Sequence, residues 1–111
     1  MMPTIGRTVL YKLTDQDAKA INVRRADFQA FQRSHAHPHE PGQPGATGHV
    51  AHVGNHAEGG QVYPAVVVRV FSPSDPYVNL QVSLDGNDAY WATSRVEGDE
   101  NGQWSWPERV E

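Results

Sequence analysis

The stretch from Val62 to Trp106 constrains the fold most. Val62-Tyr-Pro-Ala-Val-Val-Val-Arg-Val-Phe71 is a β-branched run with Val62, Val66, Val68 and Val70 on one face. Pro64 stands near its start, where a strand tolerates proline. Ser72-Pro-Ser-Asp-Pro76 is a turn. Tyr77 to Leu84 then alternates, with Val78, Leu80, Val82 and Leu84 inward and Asn79, Gln81 and Ser83 outward. Asp85-Gly86-Asn87-Asp88 is a hairpin signal. Ala89 to Val96 is a further strand, Glu97 to Gly102 a further turn, and Gln103 to Trp106 a last short strand before Pro107. Ile5 to Lys12 adds a first strand of the same period. Short strands joined by tight turns predict an antiparallel meander, and five of them commonly curl into a small barrel or a strongly bent sheet to remove their edges.

Between the first strand and the rest, the period changes. Thr14 is a good N-cap, Asp17 three residues later makes an imperfect capping box, and Leu13 with Ala18 forms a hydrophobic staple. Ala18, Ile21, Phe28 and Phe31 recur as one helical stripe, so a helix is expected from Asp15 to about Arg33. On a wheel of 100° per residue, Arg25 falls inside that stripe and Arg24 near Phe28 and Phe31. Guanidinium groups beside a buried face need partners. A carboxylate from elsewhere in the chain is the structural reading, a phosphate-bearing ligand the functional one, and snorkelling to solvent the third.

Residues 34–61 hold six His, six Gly and three Pro, and no Leu, Ile or aromatic side chain. Such a stretch buries too little apolar surface to offset its ordering entropy, and a long, partly disordered loop is expected there. At 111 residues the chain bounds one domain, 1–111, with strand and helix over 5–33, the loop over 34–61 and antiparallel strands over 62–107. The expected class is mainly β (α+β): a small antiparallel five-stranded barrel or bent sheet, one N-terminal helix, and a long His/Gly-rich loop.

Charge and composition narrow the functions. A net charge of −4 argues against general nucleic-acid binding. Residues 1–33 carry six basic against three acidic side chains, and residues 34–111 three against ten. Halves of opposite sign attract each other, and a basic end can hold a small anion. There is no cysteine, no apolar run near the roughly 18 residues of a membrane helix, and no signal-peptide pattern in residues 1–30. No membrane association and an intracellular location are therefore expected.

Three candidate chemistries follow. His35, His37, His39, His49, His52 and His56, with Glu40 or Glu58, could ligate zinc, nickel or copper, although no HExxH is present and the Gly and Pro around them give no rigid support. A solvated loop is the simpler reading. Trp91, Trp104 and Trp106 either complete the core or form a platform that stacks a base. Catalytic signatures are weak: no GxSxG, Walker A loop or GxGxxG occurs, and no enzyme activity or cofactor is expected.

Val78-Asn-Leu-Gln-Val82, Leu84-Asp-Gly86, Tyr90-Trp-Ala-Thr-Ser94 and Gly102-Gln-Trp-Ser-Trp-Pro-Glu-Arg109 resemble small accessory proteins of actinobacterial tailed phages, which end in a Gly-x-Trp-x-Trp-Pro motif. Val9 to Ala18 and Ile21 to Arg25 resemble the opening of that family. The resemblance implies a phage accessory protein in the cytoplasm of the bacterial host. The leading expectation is a non-catalytic binding module that sequesters a small anionic ligand, such as a nucleotide second messenger of host defence. Arg24 and Arg25 would meet phosphate, Asn22 would add a polar contact, Trp91, Trp104 or Trp106 would stack the base, and a second chain would complete the site in a homo-oligomer. The alternatives are a protein–protein interaction or virion-associated protein, docking through the helix or a sheet edge, and a metal-binding protein using the His-rich loop.

Overall fold

The structure, a computed structural model, describes residues 2–35, with side chains to residue 31, and residues 55–108. Its elements in chain order are β1 (Thr8–Lys12), α1 (Asp15–His35), β2 (Val62–Val70), β3 (Val78–Ser83), β4 (Ala89–Arg95) and β5 (Trp104–Ser105). The five strands make one antiparallel sheet in the order β4-β3-β2-β1-β5. The mainly β class and, among the described residues, the five strands and the single helix agree with the sequence reading.

A closed barrel does not form. The last strand leaves the meander, crosses to the far side and pairs with β1, as Leu10 with Ser105 and Tyr11 with Trp104. Closure needs a ladder along both edges, and β5 is only two residues long. One isolated parallel bridge, Glu97 with Trp104, ties the segment after β4 to β5. The turn between them lies against the end of β1, where the Gly102 N–H donates to the Lys12 carbonyl at 2.7 Å. Gly102 has φ +84°, and a β-carbon there would stand 2.9 Å from Thr14 Cγ2, so this return of the chain requires glycine.

Register decides which face each strand buries. Val9 pairs with Ala65 and Tyr11 with Tyr63, so β2 turns Ala65 and Val67 to the core. Its valines Val62, Val66 and Val68 face outward instead. In β3 the expected inward set, Val78, Leu80 and Val82, is buried, followed by Leu84. The register shifts between Val67 and Arg69 and again between Val78 and Leu80. Such bulges bend a strand and re-aim side chains. Beside the second one, Ser94 takes a left-handed φ of 56°, and its N–H donates to Asn79 Oδ1 at 2.9 Å.

Helix α1 covers the inner face with Asp17, Ala18, Ile21 and Arg25 buried. The N-cap forms as a reciprocal box: the Asp17 N–H donates to Thr14 Oγ1 at 2.8 Å, and the Thr14 N–H donates to Asp17 Oδ2 at 3.0 Å. The expected apolar stripe does not continue. Phe28 and Phe31 are 45% and 58% exposed, because the cover over this line of side chains ends at Arg25, although Phe28 lies on the same helical line as Ile21.

Residues 55–61, the end of the expected loop, are pinned to the body. The Leu13 N–H donates to the Gln61 carbonyl at 2.9 Å, and the Gly60 N–H donates to the Leu13 carbonyl at 2.8 Å. Ala57 is buried. The rest of that loop, 36–54, lies outside the described residues.

Candidate functional site

Two polar clusters hold the helix to the sheet. The first centres on Asp17, which is 2% exposed. Its carboxylate accepts from the Tyr11 hydroxyl at 2.5 Å, the Thr14 N–H, the Tyr90 hydroxyl at 3.0 Å and Arg95 Nη2 at 3.0 Å. Burial alone would raise the pKa of this carboxyl. The hydrogen bonds from Tyr11, Thr14 and Tyr90 and the charge of Arg95 outweigh burial and hold it below the usual carboxylate value. The same contacts act in reverse on the tyrosines: burial, then the bond to Asp17, pushes both hydroxyls above their ordinary range.

The second cluster centres on Arg25. Its Nε and Nη2 donate to the two oxygens of Asp88 at 2.8 and 3.0 Å, Nη1 to the Asn55 carbonyl at 2.9 Å, and Nη2 also to the Asp85 carbonyl at 3.3 Å. Arg24, largely exposed, approaches Asp88 at 3.4 Å. The bonds from Arg25 hold the Asp88 carboxyl below its usual value and raise the pKa of Arg25. Arg25 has therefore found the carboxylate partner that its place in the helical stripe calls for.

The residues expected to share a ligand site are not brought together. Each of the three Arg25 guanidinium nitrogens donates to a protein acceptor. The Asn22 side-chain amide is paired with the backbone of Ala57, donating to its carbonyl at 2.8 Å and accepting from its N–H at 3.0 Å, and it also lies 3.2 Å from His56 Nε2. Trp104 is 1% exposed and belongs to the core, with Trp106 edge-on at 5.3 Å between ring centroids. Trp91 is 60% exposed on the outer face of the sheet, away from α1. Of the candidate metal ligands, His35 is the last residue of α1, and His37, His39, His49 and His52 lie outside the described residues. Among the described residues no three His, Asp or Glu side chains are grouped to hold a metal. No helix among them is long and apolar enough to cross a membrane.

The feature that residue-by-residue reading missed is the outer face. Thr8, Val66, Gln81 and Trp91 form one row across four strands, set by the pairings Thr8 with Val66, Val66 with Gln81 and Gln81 with Trp91. Val62, Pro64 and Val68 extend it along β2, and Leu10 borders it on β1. No outward-facing position on the strands is Asp or Glu, in a chain with 13 of them. The charges on this face are Lys12 and Arg69. Lys12 is occupied by the Asp99 carbonyl at 2.7 Å, and Arg69 lies over the Phe71 ring at 5.3 Å. The signal was present as the parity of β2: pairing with Val9 and Tyr11 forces its valines outward. A solvated face of an antiparallel sheet is normally polar.

Comparison with protein-family models, with curated proteins and with solved structures gives no match to this chain.

Proposed function

We propose that this protein is a non-catalytic interaction module that docks another polypeptide on the outer face of its sheet, which no element among the described residues covers. The observation that carries this reading is the acid-free row Val66–Gln81–Trp91 with the exposed valines of β2 beside it. Contiguous exposed apolar surface rimmed by polar groups is the usual mark of a partner-binding site. The anionic-ligand reading needed Arg25, Asn22 and the tryptophans to act together. Their hydrogen bonds and burial give them no common opening.

Paired affinity purification tests the proposal, with the wild-type chain and with Val66→Glu. The expected result is a polypeptide recovered at fixed stoichiometry with the wild type and lost with the variant, while circular dichroism is unchanged. Equal recovery by both would refute it, as would release of a nucleotide on denaturation with no polypeptide bound.

A further inference from the structure

We infer that the cleft at the Arg69 end of the sheet is a binding site for a methylated ammonium cation. The site is separate from the docking row around Val66, and neither reading depends on the other.

The cleft holds about 330 Å³ and is lined by Phe71, Asp75, Tyr77 and Ser94. That volume lies at the lower end of the range for small-ligand sites. Two of its walls are aromatic rings, each about half exposed. The one charged group among its lining residues is the half-buried Asp75 carboxylate. Ring faces carry partial negative charge, so two rings and a carboxylate favour a cation. The Phe71 ring already attracts one, since the Arg69 guanidinium carbon stands 5.3 Å from its centroid.

The walls are set before a ligand arrives. The turn that carries Asp75 and Tyr77 is stiffened by Pro73 and Pro76. The Asp75 N–H donates to the Ser72 carbonyl at 3.1 Å, and the Tyr77 N–H donates to Asp75 Oδ1 at 2.9 Å. Val78, next in the chain, pairs with Val70 on one side and Arg95 on the other, which brings Phe71 and Ser94 to the same end of the sheet as Tyr77. Among the described residues, Ser94 is the one residue other than glycine with a left-handed φ. Strained backbone of this kind concentrates at ligand sites.

The hydrogen-bonding capacity left over selects the kind of cation. Asp75 Oδ1 is taken by Tyr77, and Oδ2 has no partner among the described residues. One carboxylate oxygen cannot replace the full shell of oxygen ligands that a metal ion needs. Nor can it form the two-pronged pair that a guanidinium prefers. A primary ammonium brings three donors to a site with too few acceptors. A methylated ammonium needs no hydrogen bond and presents its methyl groups to the rings.

Nuclear magnetic resonance titration of the full chain with tetramethylammonium chloride, against sodium chloride at equal ionic strength, tests the inference. Saturable shifts at Phe71, Tyr77 and Ser94 are expected in the millimolar range with tetramethylammonium and none with sodium. Tyr77→Leu, and Asp75→Asn, which keeps the turn contact, should each weaken binding about two- to fivefold with unchanged far-ultraviolet spectra. Arg69→Gln removes the competing cation from Phe71 and should tighten it. Val66→Glu, which tests the docking reading, should leave the titration unchanged. A peptide with one trimethylated lysine that binds more tightly than tetramethylammonium, and more tightly than its unmethylated form, supports the site with a polypeptide as the source. Equal affinity for peptide and tetramethylammonium supports it with a free small cation as the source. Shifts that match those with sodium overturn the inference, as does an affinity that neither Tyr77→Leu nor Asp75→Asn changes.

Discussion

Arg25 and Asp88, 63 positions apart, close on each other through two parallel hydrogen bonds of 2.8 and 3.0 Å. The fork geometry of guanidinium and carboxylate makes this one of the stronger pairings available to side chains. The donors left over reach the carbonyls of Asn55 and Asp85. One side chain thus joins the helix, the approach to β2 and the turn between β3 and β4.

Loss of that group should be a stability defect. Arg25→Ala is expected to cost about 2–3 kcal/mol, since it leaves the partly buried Asp88 carboxylate with only the longer contact to Arg24 and takes a donor from two carbonyls. Arg25→Lys should recover little, because an ammonium cannot make the planar fork. Urea denaturation of the three proteins decides this.

Asp17 should matter at least as much. Asp17→Asn keeps the shape but removes the charge facing Arg95, and turns part of an acceptor with four donors into a donor. The expected loss is about 3 kcal/mol, against about 1 kcal/mol for Tyr90→Phe. Thermal unfolding followed by circular dichroism ranks them. Equal melting of Asp17→Asn and wild type would show that the cluster adds nothing.

Stability should fall on both sides of neutral pH. Asp17 and Asp88 have folded pKa values below their unfolded ones, so their contribution is complete above the ordinary carboxylate pKa of about 4 and is lost as pH drops through the folded values. Tyr11 and Tyr90 have folded values above the unfolded one, so their contribution is complete below about pH 10 and is lost as pH rises beyond it. Denaturation midpoints across pH check both limbs. Asp17→Asn should flatten the acid limb, and Tyr11→Phe the alkaline one.

The backbone at Ser94 offers an independent check. A left-handed φ disfavours β-branched side chains. Ser94→Val should cost roughly 1–2 kcal/mol, while Ser94→Gly should hold stability or raise it by up to about 1 kcal/mol. Chemical denaturation of both variants gives the answer. A neutral Ser94→Val would mean that the bulge relaxes.

Much of this fold is legible residue by residue. The alternation from Leu80 to Leu84 is obeyed, as is the Thr14 cap, because each depends on neighbours in the chain, whereas Asn79, expected outward, is buried beside the bulge. The place of β5 is not, since a two-residue strand carries too little pattern to say which edge it joins. The stripe through Phe28 and Phe31 misled for a related reason: helical spacing gives a line of side chains, and only the extent of the sheet says how far that line is covered. Arg25 was conspicuous on the wheel, but its partner is one of ten acidic residues in 34–111. Asp17 reads as a cap in the sequence. Its second task depends on Tyr90 and Arg95, which lie 73 and 78 positions away. The outer face could be read only after the register with β1 had set the parity of β2.

The position of β1 has a kinetic consequence. It is the first strand in the chain, yet it sits between β2 and β5, so neither of its ladders can start until a distant segment has arrived. Local hairpins β2–β3 and β3–β4 can close early, whereas β1 must wait for long loops, and topologies dominated by such pairings fold in milliseconds to seconds. Lengthening the connection between α1 and β2 would change the loop-closure cost by only about 0.6 kcal/mol per doubling. The step expected to limit folding is therefore the docking of β1, carrying α1 with it, onto the β2–β3–β4 meander.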